Sequence, residues 1–193
     1  TDLRIVSKKQ KEVFKAQMEG TINHLYNHPC IVAYTIFNEG WGQFASDKMY
    51  DMVKEWDNTR LIDSTSGWFW QEKNDFDSEH IYFKPIKLKR SDKPIVLSEF
   101  GGYNYLEYGH SEPVKVYGYK KYTDKLKLSK GILKAYERDV LDNIPKGLCG
   151  SIFTQLSDVE DECNGLFTAD RRVVKVDERQ MRRMNEKCIR GVR

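Results

Sequence analysis

The sequence predicts an α/β fold with parallel strands, and three observations lead to it. Short apolar segments rich in β-branched and aromatic residues alternate with amphipathic stretches of helical period along the chain. Two of the short segments end in a glutamate, Glu39 after I-V-A-Y-T-I-F-N and Glu99 after K-P-I-V-L-S. Functional side chains at strand C-terminal ends are what the face of a (β/α)-barrel displays. No internal repeat or low-complexity segment interrupts the pattern.

The first helix is predicted from Lys9 to Asn27, because Phe14, Met18, Ile22 and Leu25 recur three and four apart, and His28-Pro29 stops it. Ile31 to Phe37 reads as a buried strand that delivers Asn38 and Glu39 to its C-terminal end. Ser46 or Asp47 can cap a second helix reaching Trp56, with Met49, Met52 or Val53, and Trp56 facing inward. Arg60 to Ser64 is the next strand, followed by the aromatic loop Gly67-Trp68-Phe69-Trp70.

Short strands follow at His80 to Phe83 and Ile95 to Ser98, the latter running into Glu99 and Gly101-Gly102. The Tyr- and Lys-rich stretch from Tyr103 to Lys130 has weak periodicity and reads as loop with some helix, a lid over the cleft. An amphipathic helix spans Ile132 to Ile144, turns Leu133, Tyr136, Val140 and Ile144 inward, and closes at Pro145 and Gly147. Gly150 to Leu156 is the last strand, Ser157 to Glu162 an acidic loop, and Val176 to Cys188 the final helix.

Composition narrows the class. A chain of 193 residues, 39% hydrophobic and 32% charged, suits one soluble globular domain with a real core. No apolar run approaches the roughly 18 residues of a membrane span, so no membrane partner is expected. A net charge of +3, from 32 basic and 29 acidic residues, is too balanced for nucleic acid as the main partner. Cys30, Cys149, Cys163 and Cys188 lack C-x-x-C spacing and read as buried or incidental thiols, which favours a reducing, cytoplasmic compartment. His24 and His28 stand four apart, but no third ligand follows, so they read as helix-end residues and no metal or cofactor is expected.

The residues also carry a family resemblance. The run H-P-C-I-V-A-Y-T-I-F-N-E-G from His28 resembles the acid/base signature of glycoside hydrolase family 2, the β-galactosidase and β-glucuronidase family. K-P-I-V-L-S-E-F-G-G from Lys93 resembles that family's nucleophile strand, and the segment T-Q-L-S-D-V-E-D-E-C-N-G-L-F-T-A-D-R-R-V-V-K from Thr154 resembles the close of its barrel. The likeness runs from about Lys9 to the end of the chain.

The resemblance implies a retaining β-glycosidase with Glu39 as general acid/base and Glu99 as nucleophile, the two carboxyls about 5 to 5.5 Å apart. It places Asn38 towards the sugar 2-hydroxyl and has Tyr82 hydrogen-bonding the nucleophile. Trp41 and Trp68, with Trp70 beside them, are candidate platforms for the C–H face of a pyranose. Gln155 stands where many members carry an aromatic platform, Tyr34 where many carry Trp, and Ser78-Glu79-His80 replaces the usual Asp-x-His approach to Tyr82. The Asn-x-Lys element with which glucuronidase-like members hold a carboxylate is not apparent, since Asn164-Gly165-Leu166 lacks its lysine. A neutral β-hexoside such as a galactoside is the expected carbohydrate.

The same resemblance implies a partial TIM (β/α)-barrel, roughly strands four to eight, with residues 1–193 as the C-terminal portion of the catalytic domain. The first three strands and the upstream β-sandwich domains are then expected before Thr1, where the chain opens without an initiator Met. Such a piece is expected to be inactive alone, and its raw strand edges favour a homo-oligomer. Two other readings keep the same residues: a cellulase- or mannanase-like barrel of the same clan, and a noncatalytic carbohydrate-binding segment.

Overall fold

The computed structural model describes residues 6–40, 42–88 and 91–191. The elements run α1 (Lys8–Leu25), β1 (Ala33–Phe37), α2 (Ser46–Trp56), β2 (Leu61–Thr65), β3 (Asp77–Ile81), β4 (Ile95–Gly101), β5 (Tyr103–Asn104), β6 (Lys120–Lys121), α3 (Lys125–Ala135), β7 (Leu148–Thr154) and α4 (Glu178–Gly191). The expected strand–helix alternation is present. Among the described residues, no helix is long and apolar enough to cross a membrane. They form two compact units, the first running to His80 and taking in Ser91–Ile95, the second made of the rest.

In the first unit, Ser7 opens α1 with a capping box, its hydroxyl accepting from the Gln10 N–H while the Gln10 side chain returns to the Ser7 backbone. The face read from spacing is the one that packs. Ile22 joins Val53 and Ile62 in one apolar cluster, and Phe14 stacks on Phe37 at 5.0 Å and meets Phe44 edge-on beside Met49 in another. β1 and β2 pair in parallel, Ala33 opposite Leu61 and Phe37 opposite Thr65, with α2 as the crossover between them. The expected cap of α2 is not used. Ala45 occupies the cap position in the left-handed region with no side-chain bond, Ser46 is buried, and the Asp47 carboxylate accepts the Lys73 N–H instead.

One side chain ties this unit together. The Arg60 guanidinium donates to the carbonyls of Tyr26, His28 and Ile31 and to Asp57 at 2.7 Å. Burial pushes the Asp57 carboxyl up, but hydrogen bonds from the Thr59 hydroxyl and N–H and from Arg60 outweigh it and hold it at about 2. The end of α1, the start of β1 and the end of α2 are thus fixed before any catalytic side chain is placed.

In the second unit, β4 lies beside β7 in one sheet, with Leu97 and Phe100 fully buried and Phe153 edge-on to Phe100. β4 is longer than the sequence suggested, so Glu99 lies within the strand instead of following it. The Tyr-rich stretch is tied down in several places. Tyr119 donates its N–H to Gly102, Tyr122 to Asn104, Tyr117 to Asp161, and Tyr105 to Cys163.

α3 starts at the Asp124 cap and buries Leu128, Ile132 and Ala135, while Leu133, expected inward, is half-buried. A π turn at Tyr136–Val140 and a 3-10 turn at Leu141–Lys146 follow, with Tyr136 edge-on to Phe100 at 5.0 Å and Val140 buried as expected, before Gly147 ends the segment in the left-handed region. α4 buries Met181 and Met184 as their spacing indicated.

Candidate active site

Glu39 follows β1, half-buried, and its Oε2 lies 2.6 Å from Nδ1 of His80. The His80 ring is buried on β3, and its Nε2 lies 2.9 Å from the Ser66 hydroxyl just past the end of β2. Ser66 in turn sits 3.0 Å from the Ser78 hydroxyl, which also accepts the Gly67 N–H at 3.2 Å. Both ring nitrogens of His80 are therefore engaged. The parallel β1–β2 pair explains the geometry, because it ends both strands on the same side and lets Glu39 and Ser66 meet one ring.

Gly67 makes room for that ring. It has φ of +74°, and a Cβ there would lie 2.3 Å from Cγ of His80. Gly67→Ala in the complete gene product is expected to displace the imidazole, lower kcat more than it raises KM, and destabilise the fold by about 1–3 kcal/mol. Steady-state kinetics paired with thermal unfolding checks it, and an unchanged kcat counts against the contact.

Glu99 is held differently. The Tyr82 hydroxyl donates a short hydrogen bond to its Oε2, and the Thr154 hydroxyl at the end of β7 lies 3.2 Å from the same phenol. Burial first, and the neighbouring Glu99 second, push the Tyr82 phenol far above its usual range, so it remains a donor. Tyr82 also stacks on Tyr119 at 4.2 Å between ring centres, and Phe83 meets Tyr119 edge-on. Gly102 permits this stack, since a Cβ there would lie 2.4 Å from the Tyr119 ring.

The remaining sequence candidates are distributed unevenly. Asn38 is exposed beside Glu39, and its carbonyl accepts from the Gln43 amide. Trp68 and Trp70 are each 44% exposed, and Trp70 donates its N–H to the Ser78 carbonyl. Trp41 lies outside the described residues. Gln155, joined to Thr154 by a cis peptide, gives its amide hydrogens to Glu162 and to Asn164 at 2.5 Å.

His80, Ser66 and Thr154 were not singled out as site residues from the sequence. The alternation of Ser78 and His80 along β3 was a usable signal for His80, and the position of Thr154 just before Gln155 was one for the threonine.

Chemically, the two glutamates have unlike surroundings. One carboxyl faces an imidazole that can give or take a proton, and the other accepts from a phenol. Two carboxyl groups in contrasting environments are suited to two different roles.

Comparison with known proteins gives the family and the fold. The family described as glycosyl hydrolases family 2, TIM barrel domain, matches residues 5–185. Curated proteins give no match. Among solved structures, the chain is similar in fold to Lactobacillus rhamnosus beta-glucuronidase, with TM-score 0.62, 18% identity, and coverage of 93% of this chain and 36% of that one. It is similar also to the beta-glucuronidase of an uncultured Clostridium sp., with TM-score 0.63, 13% identity, and coverage of 97% and 37%. The beta-glucuronidase from Ruminococcus gnavus in complex with D-glucuronic acid matches with TM-score 0.59, 15% identity, and coverage of 92% and 36%. The chain thus spans little more than a third of these relatives, 36% of the first. With almost its whole length matched by one family and its fold shared with solved members, the chain belongs to glycoside hydrolase family 2, within that family's TIM barrel domain.

Proposed function

We propose that this chain carries the acid/base and the nucleophile of a retaining β-glycosidase. Glu99 attacks the anomeric carbon and forms a glycosyl ester while Glu39 protonates the departing oxygen. Glu39, now a carboxylate, then takes a proton from the water that hydrolyses the ester. The observation that carries the reading is the buried Tyr82 hydroxyl donating to Glu99 with Thr154 beside it, because a hydrogen bond donated to a carboxylate favours the ionised form a nucleophile must be.

The sugar we propose is a neutral β-hexoside such as a galactoside. Lys175 is the one fully buried cation among the described residues, and it is already used. Its ammonium donates to both Asp158 oxygens, at 2.7 and 2.9 Å, and to the Cys163 carbonyl, which exhausts its three hydrogens. A uronate carboxylate would need a cation that is not already bonded. The competing reading is a β-glucuronide, favoured by the names of the solved relatives.

The complete gene product is expected to cleave nitrophenyl β-galactoside with higher kcat/KM than the β-glucuronide. A 2-deoxy-2-fluoro glycoside with a good leaving group is expected to leave its sugar on Glu99, located by peptide mass mapping. A reversed preference with the label on Glu99 overturns the sugar and keeps the mechanism. A label on any other residue overturns the mechanism.

A further inference from the structure

Tyr82 continues outward as a line of aromatic rings. Its hydroxyl donates to Glu99, and its ring stacks on Tyr119, 4.2 Å between centres and 19° from parallel. Phe83, its neighbour in the chain, meets Tyr119 edge-on at 4.6 Å, and Tyr117 meets the same ring at 6.4 Å and 64°. The two outer rings face water. Phe83 is 78% exposed and Tyr117 58%, whereas Tyr82 is half-buried.

Single exposed aromatic side chains are ordinary, but these are joined to one another and held. The Tyr117 N–H donates to the Asp161 carbonyl at 2.8 Å, and the Asp161 carboxylate accepts from the N–H of Val114 at 2.8 Å and of Lys115 at 3.1 Å. Two residues on, the Tyr119 N–H donates to the Gly102 carbonyl at 3.2 Å. Gly118 between them has φ of +141°, and a Cβ there would collide with the Asn104 amide, so the turn is closed against β5. The rings are thus ordered before any ligand arrives, and little side-chain entropy remains to be lost on contact.

A flat aromatic face complements the C–H face of a pyranose or another aryl group. Phe83 has no polar atom, so apolar contact is all it can offer. The sugar being cleaved must lie against Glu99 itself. Phe83 and Tyr117 reach Tyr82 by way of Tyr119, so they stand further out and suit a second ring. In an enzyme that releases a single hexose, that second ring is the leaving group.

We propose that Phe83 and Tyr117 form the platform for the leaving group, favouring substrates whose hexose is joined to an aryl or sugar ring over those that carry a small alkyl group. Asp161 is the positioning residue for Tyr117. This rests on the reading of Glu99 as the nucleophile.

The test compares kcat/KM of the complete gene product on phenyl, naphthyl and methyl β-glycosides of the hexose it cleaves best. Methyl glycosides carry no ring yet need acid assistance more than phenyl glycosides do, so damage to the general acid would fall hardest on methyl. Phe83→Ala and Tyr117→Ala are each expected to lose about fivefold to tenfold more on phenyl and naphthyl than on methyl, the size of one good aromatic contact. Asp161→Ala is expected to shift the ratio in the same direction, and Phe83→Tyr and Tyr117→Phe to keep the wild-type ratio. An alcohol that captures the glycosyl ester enters the leaving-group site, so benzyl alcohol is expected to lose ground to methanol as acceptor in Phe83→Ala.

Equal losses on all three glycosides, or an unchanged benzyl-to-methanol product ratio, overturn the platform. Glu99→Ala separates that failure from a failure of the reading beneath it. If Glu99→Ala is inactive on every glycoside, such a result overturns the platform alone. If Glu99→Ala cleaves them as the wild type does, the nucleophile assignment falls and the platform with it.

Discussion

Glu39→Ala in the complete gene product is expected to slow cleavage of alkyl and phenyl β-glycosides by about 10²–10⁴-fold, the usual range for loss of a general acid. The proposed mechanism makes the effect uneven. Dinitrophenolate leaves without a proton, so the glycosyl ester on Glu99 still forms from that substrate, and the ester then accumulates because no base activates water. Added azide needs no base and is expected to accelerate turnover of the variant while leaving the wild type unchanged, giving a β-glycosyl azide of retained configuration. Glu99→Ala lacks the group that makes the ester, so neither the activated leaving group nor azide restores β-product formation. Pre-steady-state kinetics and product configuration separate the two variants, and identical behaviour of both would end the division of roles.

Asp158→Asn lowers the unfolding free energy by about 3–5 kcal/mol, because it leaves the Lys175 ammonium buried without its counter-charge. The surroundings magnify the loss. The same carboxylate accepts from Ser111 at 2.7 Å and from the Gly165 N–H at 2.8 Å, and Ser111 in turn accepts the Ala169 N–H. Gly165 has no room to adjust, since a Cβ on it would lie 2.3 Å from the Asp158 nitrogen.

Burial draws the Lys175 ammonium below its usual range while Asp158 opposes that shift, so removing the carboxylate leaves burial unopposed. Replacing both partners, as in Asp158→Leu with Lys175→Met, removes the stranded charge and is expected to recover more than half of the loss. Urea unfolding of Asp158→Leu, Lys175→Met and the double variant closes the cycle, and simple additivity would show that the two residues do not act as a pair.

The sequence was a good guide wherever one side chain's neighbours were also its neighbours in the chain. The faces of α1 and α2 were legible in Phe14, Met18, Ile22, Met49 and Val53 because a helix brings residues three and four apart together. The end of the 3-10 segment at Gly147 was legible because one residue type tolerates that backbone. The cap of α2 was misread, since Ser46 and Asp47 are both good caps by type, yet burial took one and the Lys73 N–H took the other. In the segment from Ile132 the inward Tyr136 and Val140 were legible, but nothing there announces the π turn that ends the α-helix at Ala135.

The candidate site divides along the same line. By itself, the sequence determined the family and the alternating fold, and it pointed to the two glutamates and Tyr82 as candidates, because each belongs to a short run whose residue types are legible together. Only the tertiary structure decided what each glutamate touches. His80 meets Glu39 across 41 positions of chain, Tyr82 reaches Thr154 across 72, and Lys175 finds Asp158 across 17. Those partners depend on which strands end side by side and on which polar groups burial leaves without water. Neither is a property of any one segment.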